Sequence, residues 1–380
     1  MTEIRPFRLA IPQEQLDDLN ARIDMARWPD KETVDDWSQG TPLAALQSLV
    51  AYWRNGYDWR RCEARLNAFG QFMTEIDGLD IHFIHVRSPH EGAMPLILTH
   101  GWPGSVIEFM EVIGPLSDPV GHGGRAEDAF HVVVPSLPGY GFSGKPKTAG
   151  WDVAHIGKAW AELMRRLGYD RWFAQGGDWG AIVTTIMGVQ APEGLLGIHT
   201  NMAVANPTPE DKVNPTPEER RALEAGQAYA QFDSGYSKQQ STRPQSLGYG
   251  LVDSPVGQAG WIYEKMWSWT DNQGKPEDAL SQDTILDNIM LYWLTASGAS
   301  SARLYWESFG TIGRSGVTVD IPSGVSLFPH EISQPPRHWA ERVLKNLVYW
   351  NRPDKGGHFA AWEQPELFVG EVRKCFALMR

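Results

Sequence analysis

The stretch WFAQGGDWGAIV, beginning at Trp172, sets Asp178 at the tip of a glycine-rich turn. A short apolar run leads into Gly176-Gly177-Asp178-Trp179-Gly180, and a helix-like run leaves it. That is the layout of a nucleophile elbow, usually G-x-S-x-G, with aspartate in the place of serine. The exchange changes the chemistry. A serine oxygen attacking a saturated carbon would leave an ether, which water does not readily cleave. A carboxylate leaves an ester, which activated water can hydrolyse at the enzyme's own carbonyl carbon. Asp178 therefore predicts a substrate that is alkylated rather than acylated, an epoxide or an alkyl halide.

Hydrolysing such an ester takes a base and an acid to orient it. His358, in DKGGHFAAWEQPE, follows the strand-like LVYWN and two glycines near the carboxyl end. Glu331, in SLFPHEI, lies just past the preceding strand-like run, with Asp320, Asp354 and Glu307 as competing acids. Nucleophile, acid and histidine thus follow one another in the order that an α/β-hydrolase uses. In that fold the loop after the third strand and the residue after the nucleophile give backbone amides to an oxyanion hole. LTHGWPGS supplies that loop, so the candidate donors are the amides of Trp102 and Trp179. An opening epoxide also needs a proton donor, usually a phenol, whereas a leaving halide needs weak N–H donors. Tyr236 and Tyr305 serve the first need; Trp261, Trp267, Trp269, Trp293 and Trp306 serve the second.

The elements that must position these residues are legible in outline. IPQEQLDDLNARIDMARWPD places Leu16, Leu19 and Ile23 at helical spacing and stops at Trp28-Pro29. TPLAALQSLVAYWRNG reads as a second helix, with Thr41 as N-cap, Pro42 as first helical residue and Asn55-Gly56 as stop. Strands and helices then alternate: DIHFIHV, PLILTH and FHVVVPS as strands, a helix at about 153–167, the elbow strand, and LGIHTNM. That alternation predicts a doubly wound, mostly parallel α/β sheet. It stops near residue 207, where a Pro- and Gly-spaced stretch and then helical runs suggest a lid. GVTVDIPSGVSLFP and LKNLVYWNRP resume strand character before a final helix.

Composition narrows the function classes. A net charge of −12 over 380 residues argues against nucleic acid or an anionic membrane as partner. No window carries the apolar run of a signal peptide or anchor. Cys62 and Cys375 form no metal or redox pattern, and a reducing cytoplasm suits them. Seventeen tryptophans fit a heavily aromatic core, some of it lining an apolar pocket.

Together MARWPD, LVAYWRNGYDWR, GLDIHFIHVRS, LTHGWPGS, PSLPGYGFSGKP, GGDWGA, DSPVGQAGWIYEKMWSWTD, LFPHE and GGHFAAWEQPE resemble the microsomal-type epoxide hydrolases over nearly the whole chain. The resemblance implies an amino-terminal extension wrapping the core (1–77), a hydrolase core in two parts (78–206 and 311–380) and a helical lid (207–310). It implies Asp178 as the alkylated nucleophile, His358 as base, Glu331 as its acid partner, and Tyr305 and Tyr236 as the phenols that protonate the epoxide oxygen. The implied partners are a small apolar epoxide and water, with no metal or organic cofactor; a homo-oligomer is compatible with the sequence. Membrane-bound members open with an apolar anchor that is missing here, which implies a soluble relative. Two other readings share these residues: a haloalkane dehalogenase using the same aspartate, and a hydrolase fold that binds a ligand without turnover.

Overall fold

In the computed structural model, which describes residues 3–310 and 318–380, the apolar runs lie side by side. The strands are β1 (Arg5–Phe7), β2 (Gln71–Ile76), β3 (Leu79–Val86), β4 (Met94–Thr99), β5 (Phe130–Pro135), β6 (Trp172–Gly176), β7 (Leu195–Thr200), β8 (Ser323–Ser326) and β9 (Leu347–Asn351). They form one sheet in the order β1-β2-β3-β5-β4-β6-β7-β8-β9. Pairing is antiparallel from β1 to β5 and parallel from β5 through β9. The central strands are buried along nearly their whole length, as runs covered on both faces must be.

Strand order fixes where chemistry can sit. From β4 the chain steps outward to β5, then crosses back to β6 on the other side of β4. The connections diverge there and leave a crevice at the carboxyl ends of β4 and β6. The loop holding Trp102 follows β4, and Asp178 follows β6.

Helices α1 (Gln13–Asp24), α2 (Leu43–Asn55) and α3 (Trp59–Asn67) belong to the amino-terminal segment. This segment is not purely helical, because β1 and β2 extend the sheet from it. β2 pairs with β3 along its full length, and the two-residue turn Asp77-Gly78 has positive φ at both positions. Asp-Gly between strands is the sequence signal for such a hairpin. Thr41 does not cap α2: Pro42 takes the N-cap place, Leu43 opens the helix, and the Thr41 hydroxyl donates to Gly260 O at 3.0 Å.

The core carries α4 (Met110–Ser117), α5 (Val153–Arg166) and α6 (Trp179–Gln190). Between β7 and β8 lies an insertion of α7 (Pro217–Ala228), α8 (Gly235–Thr242), α9 (Pro244–Asp253), α10 (Pro255–Trp269), α11 (Gln282–Leu294) and α12 (Gly298–Ser308). The glycine-spaced part of this stretch, read above as preceding the helical runs, is therefore itself helical. Gly248 lets α9 close on α12: a Cβ there would lie 2.4 Å from that of Ala299. The amino-terminal segment is bonded to the insertion through Tyr52 to Asp283 (2.8 Å), Tyr57 to Asp287 (2.7 Å) and Arg61 to Asp287 (2.9 Å). After it come α13 (Arg337–Val343), α14 (Ala360–Glu363) and α15 (Pro365–Ala377). The strand expected from residue 316 is shorter than read, with β8 beginning after Pro322, which cannot donate to a ladder. Residues 316–317 of that run, and the 310/311 boundary, lie outside the described residues. Among the described residues no helix is long and apolar enough to cross a membrane.

Candidate active site

Asp178 occupies a conformation that L residues rarely adopt, φ 51° and ψ −126°. Its neighbours make the turn feasible. A Cβ on Gly176 would meet Gly180 O at 2.1 Å, and one on Gly180 would meet Thr99 O at 1.8 Å. Both collisions are with backbone, so neither site can yield by a rotamer change. We predict that Gly180→Ala lowers unfolding free energy by about 3 kcal/mol or more, at or beyond the usual range for overpacking. Chemical denaturation measures this; a midpoint equal to the parent's would show that the elbow can open.

The crevice brings the expected residues together. The Trp102 amide donates to Asp178 Oδ1 at 2.8 Å. Trp179 is the first residue of α6, where a backbone amide has no partner within the helix. His358 Nε2 lies 3.3 Å from Asp178 Oδ2, and its Nδ1 lies 2.7 Å from Glu331 Oε1. Glu331 is buried and also accepts the Ile332 amide at 2.7 Å. Of the competing acids, Asp320 and Asp354 are exposed and Glu307 accepts the Gly150 amide instead. His100 of the HGWP run is structural. It bonds Gly101 O through Nδ1 and accepts the Leu137 amide at Nε2, and burial pulls its pKa down to about 4.

The histidine loop hangs from the carboxyl end of α10. The His358 amide donates to Trp269 O at 2.9 Å, and the Gly356 amide to Asp271 Oδ2 at 2.8 Å. Glu363 accepts the amides of Asp271 and Phe359 at 2.7 and 3.0 Å. A Cβ on Gly357 would strike Trp269 O at 2.5 Å, which accounts for the glycine before the histidine.

Two phenols pack beside the rings of Trp102 and Trp179. Tyr305 and Tyr236 are buried, their rings 5.8 Å apart and nearly perpendicular. Tyr236 stacks on Trp102 at 4.9 Å, and Tyr305 meets Trp179 edge-on at 4.7 Å. The Tyr305 hydroxyl has no well-aligned hydrogen-bond partner among the described residues, whereas Tyr236 shares a 2.9 Å bond with the Tyr229 hydroxyl. Burial holds both phenols well above their ordinary pKa, so they remain protonated donors.

Several residues here escaped sequence reasoning. Tyr229 and Asp233 bound a short π-helical turn (Tyr229–Asp233), a feature often found at functional sites. Asp233 accepts from Lys265, Ser268 and the Trp269 indole at 2.7, 2.9 and 2.6 Å. The buried Lys265 ammonium lies over the rings of Tyr236 (4.7 Å) and Trp269 (5.4 Å). Nothing in the local pattern around Lys265, nearly three turns into α10, distinguished it from a solvated lysine. The indoles suggested for a halide are otherwise engaged: Trp269 bonds Asp233, Trp261 bonds Gln240, Trp267 stacks on Trp37, Arg22 covers Trp293 and Trp306 is 53% exposed. Among the described residues one cluster of metal-ligand types occurs, Asp211, Glu219 and His338. Arg342 already pairs with its Asp211.

Sheet topology and a carboxylate at the elbow define an α/β hydrolase, and the alpha/beta hydrolase fold family matches residues 94–246. Residues 4–109 match the epoxide hydrolase N terminus family. Over 377 residues the chain is 59% identical to a relative from Stigmatella aurantiaca, covering 99% of this chain and 86% of that one. It is 35% identical to epoxide hydrolase 1 of Sus scrofa over 407 residues, covering 99% and 89%. The solved epoxide hydrolase of Aspergillus niger is similar over 100% of this chain and 97% of its own, with TM-score 0.89 and 33% identity. The Bombyx mori juvenile hormone epoxide hydrolase gives TM-score 0.90 and 31% identity, covering 100% and 95%. The chain belongs to the epoxide hydrolase family and is an enzyme of that activity; the dehalogenase alternative is not favoured.

Proposed function

We propose that this enzyme hydrolyses a small apolar epoxide to a vicinal diol through an ester on Asp178, beneath a lid formed by residues 207–310. The observation that carries the reading is the grouping of these side chains. Asp178 and the His358 base meet at 3.3 Å, and two buried phenols pack on the rings of Trp102 and Trp179, the residues that adjoin that carboxylate. Tyr305 and Tyr236 hydrogen-bond the epoxide oxygen while Asp178 attacks a ring carbon from the opposite side. The C–O bond breaks, the oxygen takes a phenol proton, and an alkyl ester with a free hydroxyl remains. Water then adds to the Asp178 carboxyl carbon, giving one proton to His358 Nε2. The amides of Trp102 and Trp179 stabilise the tetrahedral oxyanion. Collapse expels the substrate oxygen, which takes the His358 proton; the second water proton restores the phenol.

Charge accounts for the order of the steps. Burial disfavours a charged imidazole, but Glu331 and Asp178 outweigh it and hold His358 well above its ordinary pKa. Alkylation removes the Asp178 charge, so the His358 pKa falls and the ring releases its proton to solvent, becoming a free base when water must be activated; it takes a proton back once Asp178 is a carboxylate again. The acidic charge and the two buried free cysteines suit a soluble protein of a reducing cytoplasm with no nucleic-acid partner.

Product analysis tests the reading, using styrene-type and aliphatic epoxides beside matched alkyl chlorides and bromides. We expect diol from the parent and at least about a 10⁴-fold loss in Asp178→Asn. Halide release without diol, or diol undiminished in the variant, would overturn the assignment.

A further inference from the structure

The scheme above leaves one partly buried acid beside the reacting atoms without a role. Glu108 lies on the short helical turn Val106–Phe109 that follows the Trp102 loop. Its carboxylate fills the space a side chain at residue 104 would need: a Cβ on Gly104 would lie 1.4 Å from Glu108 Oε1. Glu108 and Asn201, together with Asp178 and His358, line a small enclosed cavity. Apolar surface from Phe109, Phe359, Ala361 and Phe368 closes the remainder. The cavity measures about 10 Å³, close to the ~10–15 Å³ that one water molecule requires. It is too small for any organic substrate.

Three features make it a water site rather than a packing defect. The lining is polar on one side, and a buried water needs two to four polar partners. His358 Nε2 has no well-aligned partner among the described residues beyond its 3.3 Å approach to Asp178, so a polar ring nitrogen borders the cavity. Glu108 keeps part of its surface uncovered and is one of the polar groups that line the cavity. Asn201 is itself fixed, accepting from Gln175 Nε2 at 2.9 Å and reaching His358 O at 3.5 Å.

We propose that this cavity holds the water that hydrolyses the Asp178 ester and that Glu108 positions it against His358. The inference rests on the Asp178–His358 reading above. Burial lifts the Glu108 carboxyl pKa to about 8, so at neutral pH it is mostly uncharged. A neutral carboxyl both donates to and accepts from water, and it adds no second anion to compete for the imidazolium. Glu108 takes no proton in the reaction. It orients the oxygen lone pair toward the Asp178 carbonyl carbon while His358 Nε2 accepts the proton.

The two half-reactions separate this role from a structural one. The full chain is mixed with a slowly turned-over epoxide, quenched over time, and followed by intact mass. In Glu108→Leu we expect adduct formation within about threefold of the parent and adduct loss slowed about 10- to 100-fold, so the ester accumulates. Glu108→Gln, which can still hold a water, should recover most of the loss rate. Parent-like adduct loss in Glu108→Leu, or both half-reactions falling by one common factor, would overturn the role of Glu108 while leaving Asp178 as nucleophile. No adduct in any form, under conditions that yield diol, would instead overturn the Asp178 reading. Should Glu108→Leu not fold, a crystal structure of the unaltered enzyme decides: a water within hydrogen-bond distance of Glu108 and His358 supports the proposal, and an empty cavity sinks it.

Discussion

Mixing the His358→Gln variant with an epoxide is expected to leave nearly every molecule heavier by the mass of one substrate, the added mass lying on the peptide that contains Asp178. Steady-state diol formation should fall about 10³- to 10⁴-fold, the upper part of what a positioned general base contributes. Adduct formation should change far less. Glutamine keeps the ring's approximate volume between Glu331 and Asp178 but cannot accept the water proton. The parent should show a milder form of the same arrest in acid. Once Asp178 is esterified, Glu331 alone remains of the two carboxylates that raise the His358 pKa. Ester hydrolysis should therefore fail as pH drops through the His358 pKa of the alkylated enzyme, while alkylation continues. Adduct gain and loss measured against pH reveal both limbs. A variant that turns over without accumulating ester would remove His358 from the second step.

The second large effect concerns ring opening. Tyr305→Phe combined with Tyr236→Phe should slow adduct formation by about 10³-fold or more, since one donor to a developing oxyanion is commonly worth 10²–10³. Loss of an adduct already formed should be nearly unchanged. Tyr305 is expected to carry the larger single effect, because its hydroxyl has no well-aligned partner among the described residues while Tyr236 shares a bond with Tyr229. Unaltered adduct formation in the double variant would make both phenols packing residues.

Much of this architecture could be read before any coordinates. The elbow, the parallel strands and the helix from 153 rest on local patterns: an apolar run of strand length, a glycine turn, a periodic stripe. The strands of the amino-terminal segment were harder, because β2 carries no clean alternation and gains its partner only through the Asp77-Gly78 turn. The helix α9 hid behind glycines, one of which, Gly248, allows close approach to α12, which is a property of the pair. Lys265, Asp233 and Glu108 were not legible for a related reason. A charged residue in an amphipathic run reads as solvated until the fold supplies what encloses it. Glu331 could be favoured over its competitors by resemblance; its 2.7 Å approach to His358 is long-range geometry that no local pattern contains.

The hydrogen bonds that suspend the histidine loop from the end of α10 limit how the protein can open and how it can be rebuilt. An insertion swinging as one rigid body with α10 would drag the His358 imidazole away from Asp178, so an opening that keeps the two together must spare α10. The same bonds define what can be exchanged between relatives. Residues 254–271 and 354–363, nearly a hundred positions apart in the chain, form one unit of recombination, and a chimera that takes either without the other inherits a misplaced imidazole.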